Sequence, residues 1–175
     1  MAAIPARSLT HSLTLWAENS QVAELGYEPK DDVSSIEYDP AWVDAPQAFP
    51  LCPALPLDRS AANHAASAVK RFVENLLPEG RTLDVIATTY RVSKSNIYAL
   101  INALGAETTG AFRFSPTGDV PPSVVATPPR EITRDELNQR LSERDAIPLA
   151  VWDGKVRMSL AGVQDKLMVY LDRPL

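Results

Sequence analysis

Apolar and polar residues alternate with a period of two from Leu13 to Glu18 and resume from Gln21 to Leu25, with Asn19 and Ser20 between them as a turn. Alternation of this kind puts one set of side chains on each face of a pleated strand, so the two runs predict a β-hairpin. Val33–Asp39 predicts a third strand closed by Pro40, with Trp42 and Val43 folding back onto the sheet. Trp16, Tyr38 and Trp42 are expected to be sheet core rather than a binding face. Residues 1–11 carry no such pattern and are expected to be a loose tail.

The period changes beyond a proline-rich stretch. Phe49–Leu57 holds Pro50, Pro53 and Pro56, too many missing N–H donors for a central strand, and is expected to be an extended edge or loop. Ala65, Ala68, Val69, Phe72, Val73, Leu76 and Leu77 then recur at helical spacing, predicting a helix over 61–77 capped by Ser60 and ended by Pro78-Glu-Gly80. A helix, a short turn at Val92-Ser93 and a second helix bearing Ile97, Leu100, Ile101 and Leu104 follow, with Gly105 as C-cap. Gly110–Phe114 alternates again and predicts a short strand that rejoins the N-terminal sheet. Residues 115–130 are rich in Pro, Thr, Val and Ser without periodicity, which is the composition of a semi-extended linker. Thr133-Arg-Asp-Glu136 reads as a capping box opening a helix to about Arg144, with Leu137 and Leu141 as its buried stripe. A turn at Trp152–Lys155 leads into a strand. No internal repeat is present.

Composition narrows the class of molecule. With 175 residues, 45% hydrophobic and 22% charged, the chain is globular in type. A net charge of −5 disfavours a nonspecific grip on nucleic acid. Apolar runs fall well short of the roughly 20 residues that span a bilayer, so no membrane association is expected. Cys52 is the single cysteine and the N-terminus lacks an apolar signal core, which makes the cytoplasm the expected compartment.

Three places invite a chemical reading. The helix pair over 83–104 has the spacing of a helix-turn-helix, but its second helix offers Lys94, Ser95, Asn96 and Asn102 with no arginine. A plain packed helix pair is the expected alternative. His64 has no second histidine or cysteine at ligand spacing, so no metal site is expected there. Met158–Leu171 places apolar runs on either side of a turn at Ala161-Gly162, with Ser159 at its lip. Glycine lets backbone N–H groups face an anion, so the residues suggest a phosphate-covering loop, with an ordinary hairpin turn as the alternative.

Taken in order, Ile36-Glu-Tyr-Asp-Pro-Ala-Trp-Val43, Phe49–Leu57, Phe72-Val-Glu-Asn-Leu-Leu-Pro-Glu-Gly80, Leu104–Phe114 and Ser159-Leu-Ala-Gly-Val-Gln-Asp-Lys166 resemble the N-terminal part of the HipA toxins. These are the serine/threonine kinases of bacterial HipAB toxin–antitoxin pairs. The resemblance runs over about 13–171. It implies an α+β fold: a small N-terminal antiparallel sheet packed with helices over 8–115, a Pro-rich linker over 116–130, and the first β-hairpin of a kinase-like core in 131–175.

It further implies that Ala161, Gly162, Val163, Gln164, Asp165 and Lys166 form the loop over the ATP phosphates, and that Ser159 is the serine the kinase phosphorylates on itself. The family's ATP-anchoring lysine, catalytic aspartate and asparagine and metal-binding aspartate belong to its C-terminal part, and no segment here supplies them. No catalytic residue and no metal ligand is therefore assigned in this chain. ATP and Mg²⁺ are expected as cofactors of the full-length family member and not of these 175 residues alone. Implied partners are a HipB-like helix-turn-helix antitoxin, the C-terminal kinase domain, a protein substrate, typically an aminoacyl-tRNA synthetase, and DNA only through the antitoxin. A stand-alone interaction module acting on a separate kinase subunit is the alternative from another class, and direct DNA binding through Leu83–Leu104 is the weakest.

Overall fold

The computed structural model describes residues 11–60, 63–105, 107–108, 110–119, 130–149, 151–152 and 155–156. Strands β1 (His11–Ala17), β2 (Ser20–Glu28) and β3 (Val33–Tyr38) form a meander, and β4 (Phe112–Pro116) returns to the free side of β1. The sheet is antiparallel throughout, in the order β3-β2-β1-β4. The alternation seen in the sequence sets the register: Leu15 lies opposite Ala23 on one side and Phe114 on the other, and Leu25 lies opposite Leu13 and Ile36. These side chains are at most 2% exposed and form the floor of the core. Val22 is the extra residue of a bulge, since Leu15 pairs with Ala23 but Trp16 with Gln21.

Helices α2 (Ala66–Glu74), α3 (Gly80–Tyr90) and α4 (Ile97–Leu104) cover that face. Val69, Phe72, Val73, Ile86, Leu100 and Ile101 complete the core with Leu51 and Leu55 from the proline-rich loop. A one-turn helix, α1 (Pro40–Val43), buries Trp42; Asp39 caps it by accepting from the Ala41 and Trp42 N–H groups, and Pro40 occupies the first turn, where a missing N–H costs nothing. Tyr38 and Trp42 lie in the core as expected. Trp16 is buried on the opposite face, where its indole N–H donates to Ser115 Oγ at 2.9 Å.

Three expectations need correction. Ser60 does not cap α2, which begins at Ala66 behind Ala65, a residue with no side-chain cap. The reason lies in the preceding turn: Asp58 accepts from the Ser60 N–H and from Asn63 Nδ2, and His64 turns into the interior before the helix starts. The strand foreseen at Gly110–Phe114 runs two residues later and ends at Pro116, where the linker was expected to begin. Leu137 and Leu141 do not form a buried stripe, because α5 (Arg134–Glu143) has no buried residue and Leu141 is 41% exposed. Of its capping box, the Thr133 half forms, accepting from the Glu136 N–H at 3.1 Å, while the Glu136 carboxylate pairs with Arg130.

Gly105 joins the helices to the returning strand. It ends α4 at φ 55°, and its carbonyl accepts from the Phe114 N–H at 3.1 Å. A Cβ at this position would sit 3.5 Å from the Phe114 carbonyl oxygen, on a backbone conformation that side chains disfavour. Further along the chain, β5 (Val151–Trp152) and β6 (Lys155–Val156) pair as a short antiparallel ladder, and Val151 belongs to the same apolar core as Leu13 and Leu100. Among the described residues no helix is long and apolar enough to cross a membrane.

Candidate functional site

Ser159 and the loop Ala161–Lys166 lie outside the described residues, as does the strand–turn–strand expected over 158–171. What the structure shows is the approach to them. Arg140 on α5 donates from Nη2 to the Val151 carbonyl at 2.8 Å and to the Pro148 carbonyl at 3.3 Å, while Nη1 stands 3.5 Å from Glu143 Oε2. Its side chain is only 13% exposed, so these contacts are shielded from water. The Val151 N–H also donates to Pro148 O, at 3.0 Å, which closes a tight turn under the guanidinium. From α3, Arg81 donates to the Arg144 and Asp145 carbonyls at the C-terminal end of α5. That end of a helix carries partial negative charge and unpaired carbonyls, so a guanidinium is well matched to it.

The helix pair is present, with Arg91 in the left-handed conformation ending α3 at φ 56°. Its polar groups pair with one another at the surface. Lys94 Nζ is bound to Asp84 Oδ1 at 2.6 Å, Asn96 Oδ1 caps α4 by accepting from the Ala99 N–H at 2.9 Å, and the Ser93 and Ser95 hydroxyls bond each other. Ile97, Leu100, Ile101 and Leu104 are buried. Of the four residues named for base reading, Asn102 alone is exposed with no such engagement, and one amide does not read a site. A Lys94→Ala, Asn96→Ala double variant is expected to leave gel-shift behaviour with duplex DNA unchanged and to lower stability by about 1 kcal/mol through the lost cap. DNA retardation by the parent chain that the variant abolishes would overturn this assignment.

His64 is a structural histidine, 6% exposed, with Nδ1 3.1 Å from the Ile36 carbonyl of edge strand β3 and Nε2 2.9 Å from the Pro56 carbonyl. Both nitrogens face backbone carbonyls inside the fold. A depression of about 170 Å³ opens between α2 and the Cys52–Leu55 turn, lined by Cys52, Ala54, Ser67, Ala68, Arg71, Phe72 and Asn75. Small-molecule sites usually measure roughly 300–1,000 Å³, so it is undersized for one. Between β2 and α4, Tyr27 stacks on Tyr98 with ring centroids 5.0 Å apart. Burial raises both phenol pKa values, and the Tyr27 hydrogen bond to Asp32 raises that one further.

Sequence reasoning missed the two arginine contacts. Arg140 stands on the same side of α5 as Leu137 and Leu141, and long-range guanidinium-to-carbonyl bonds leave no periodic signature. The low apolar content of α5 was the available signal that it docks by other means.

The model of the HipA N-terminal domain matches residues 13–115. The serine/threonine-protein kinase toxin HipA of Shewanella oneidensis is 36% identical over 161 residues, covering 92% of this chain and 35% of that protein. Among solved structures, a chain of the Shewanella oneidensis complex of HipA, HipB and operator DNA superposes with a TM-score of 0.69 at 35% identity, covering 91% of this chain and 36% of that one. The chain thus spans about a third of the length of the relatives it matches.

Proposed function

The chain belongs to the HipA family, whose N-terminal domain it carries at residues 13–115, and from that premise we propose that it is the N-terminal portion of a toxin serine/threonine kinase of a toxin–antitoxin pair. The observation that carries the reading is that similarity to a protein-kinase toxin extends over 92% of the chain, well past the domain itself. In this reading Ser159 and Ala161–Lys166 supply a regulated loop over the ATP phosphates. The loop's backbone N–H groups offset phosphate charge, and a phosphoserine carrying about −1.5 to −2 charge competes with ATP for the same space. ATP, Mg²⁺ and the acceptor must be positioned together for phosphoryl transfer, so these 175 residues alone are expected to be inert.

The complete kinase would act in the cytoplasm on a serine of a translation-related protein, an aminoacyl-tRNA synthetase, and arrest growth. A HipB-like antitoxin would hold it and carry the complex onto DNA. Support for that partner is the superposition on a chain solved in a complex of HipA, HipB and operator DNA.

Incubating a longer chain that includes the catalytic region with Mg-ATP tests the site. Phosphate is expected on Ser159 by mass spectrometry, and Ser159→Ala is expected to remove it while leaving transfer to other proteins intact. Phosphorylation of Ser159 by the 175-residue chain alone, or none in the longer chain, would sink the reading.

A further inference from the structure

We infer that Arg140 is a positioning residue that holds the Pro148–Val151 turn against α5, while Arg81 of α3 holds the end of α5 to the N-terminal domain, and that together they fix where the β5–β6 hairpin delivers the chain. Helix α5 has no buried side chain with which to dock. Its contacts run instead through charged donors onto backbone carbonyls: Arg140 holds the Pro148 and Val151 carbonyls of its own segment, and Arg81 reaches from α3 to the Arg144 and Asp145 carbonyls. Charge-assisted bonds of this sort are about twice as strong as neutral ones, and the planar fork of arginine satisfies two acceptors at once.

The carbonyls chosen matter. Pro148 and Val151 delimit the turn that seats Val151 in the core, where it is 9% exposed, and Val151 pairs with Val156 across the hairpin. Fixing that turn fixes both strands. Three residues beyond β6 in sequence comes Ser159. The importance of the fastening for catalysis rests on the reading of 159–166 as the phosphate loop; the fastening itself does not. It also makes the N-terminal domain part of the nucleotide site's support, since a partner that draws Arg81 away from α5 would loosen the hairpin without touching it.

Amide hydrogen exchange of the 175-residue chain separates this role from a general loss of stability. In Arg140→Met, exchange at Val151, Trp152 and Val156 is expected to speed up at least about tenfold, with Leu15, Val22 and Leu25 unchanged and the melting temperature held. Arg81→Met should give a smaller acceleration at the same amides. Leu141→Ala, on the same helix, should change nothing. The inference is overturned if Arg140→Met leaves the hairpin unchanged, if acceleration spreads evenly to the central strands, or if Leu137→Ala loosens the hairpin and Arg140→Met does not. In a longer chain with its catalytic region, Arg140→Met is then expected to raise KM for Mg-ATP more than it lowers kcat. Failure of that chain to bind Mg-ATP at all would count against the kinase reading and leave the exchange result standing.

Discussion

Replacing Phe114 with alanine is expected to lower the unfolding free energy by about 3–5 kcal/mol, the range for deleting a fully buried aromatic side chain. Phe114 is 2% exposed, sits opposite Leu15 in the ladder, and donates its N–H to the Gly105 carbonyl. It therefore meets the inner strand β1 and the end of α4 at once, and neither side can move in to fill the space. Chemical denaturation should show the loss as a shift in midpoint with little change in slope, and the melting temperature should fall on the order of 10 °C. Phe112, half-buried in a row with Phe49 and Phe72 at centroid distances of 6.2 and 5.9 Å, should cost less when truncated in the same way. Equal losses at the two positions would mean that β4 is held by its aromatic row and not by the Phe114 plug.

Tyr38→Phe should have the next largest effect although it removes one oxygen. The phenol donates to the Leu55 carbonyl at 2.6 Å and accepts from the Leu51 N–H at 2.8 Å, and the residue is 1% exposed. Phenylalanine fits the same space but leaves a buried donor and a buried acceptor on the proline-rich loop without partners. At about 1–3 kcal/mol for each unsatisfied group, partly relieved by loop movement, a net loss of about 2–3 kcal/mol is expected.

Ionisation supplies an independent check. Burial pushes the Tyr38 phenol above the ordinary tyrosine value of about 10, the Leu51 N–H pulls it partway back, and Cys52 raises it again. A folded-state value above the unfolded one means that the group's contribution is complete below about pH 10 and is lost as pH rises through the folded value. Stability should accordingly hold to about pH 10 and decline above it. Tyr38→Phe should decline less steeply there, with the remaining slope left to Tyr27 and Tyr98, which are shifted the same way. An identical alkaline decline in the variant would remove Tyr38 from this role.

Much of the architecture was legible because it is locally encoded. Period-two alternation in Leu13–Leu25 and Val33–Tyr38 fixes which residues face the helices, and the same alternation in Phe112–Phe114 was enough to foresee the return of β4 to the sheet. Asp39 followed by Pro40 is a readable helix start that was passed over because α1 makes a single turn. The start of α2 was not legible, since Ser60 looks like a cap until His64 is seen to be needed by Ile36 and Pro56, 28 and 8 residues away in sequence. The docking of α5 escaped for a related reason: leucines at helical spacing are a signal of burial only when something lies against them. As for the site, Ala161-Gly162 suggested a phosphate loop by glycine chemistry, but Ser159 and the assignment of the whole stretch came from resemblance.

The strand order has a consequence for how the protein comes into being. β1 and β4 are neighbours in the sheet, yet His11 and Pro116 stand at opposite ends of the matched domain. At ~5–20 residues per second, a ribosome needs on the order of 5–20 s after finishing β1 before β4 is made. For that interval the β3-β2-β1 meander has an unpaired edge at its most apolar strand, in which Leu13, Thr14, Leu15 and Trp16 are all destined for burial. An open edge of that kind pairs readily with another nascent chain. Slowing translation between codons 20 and 110 should therefore raise the insoluble fraction of newly made protein, and a chaperone that shields strand edges should reverse it.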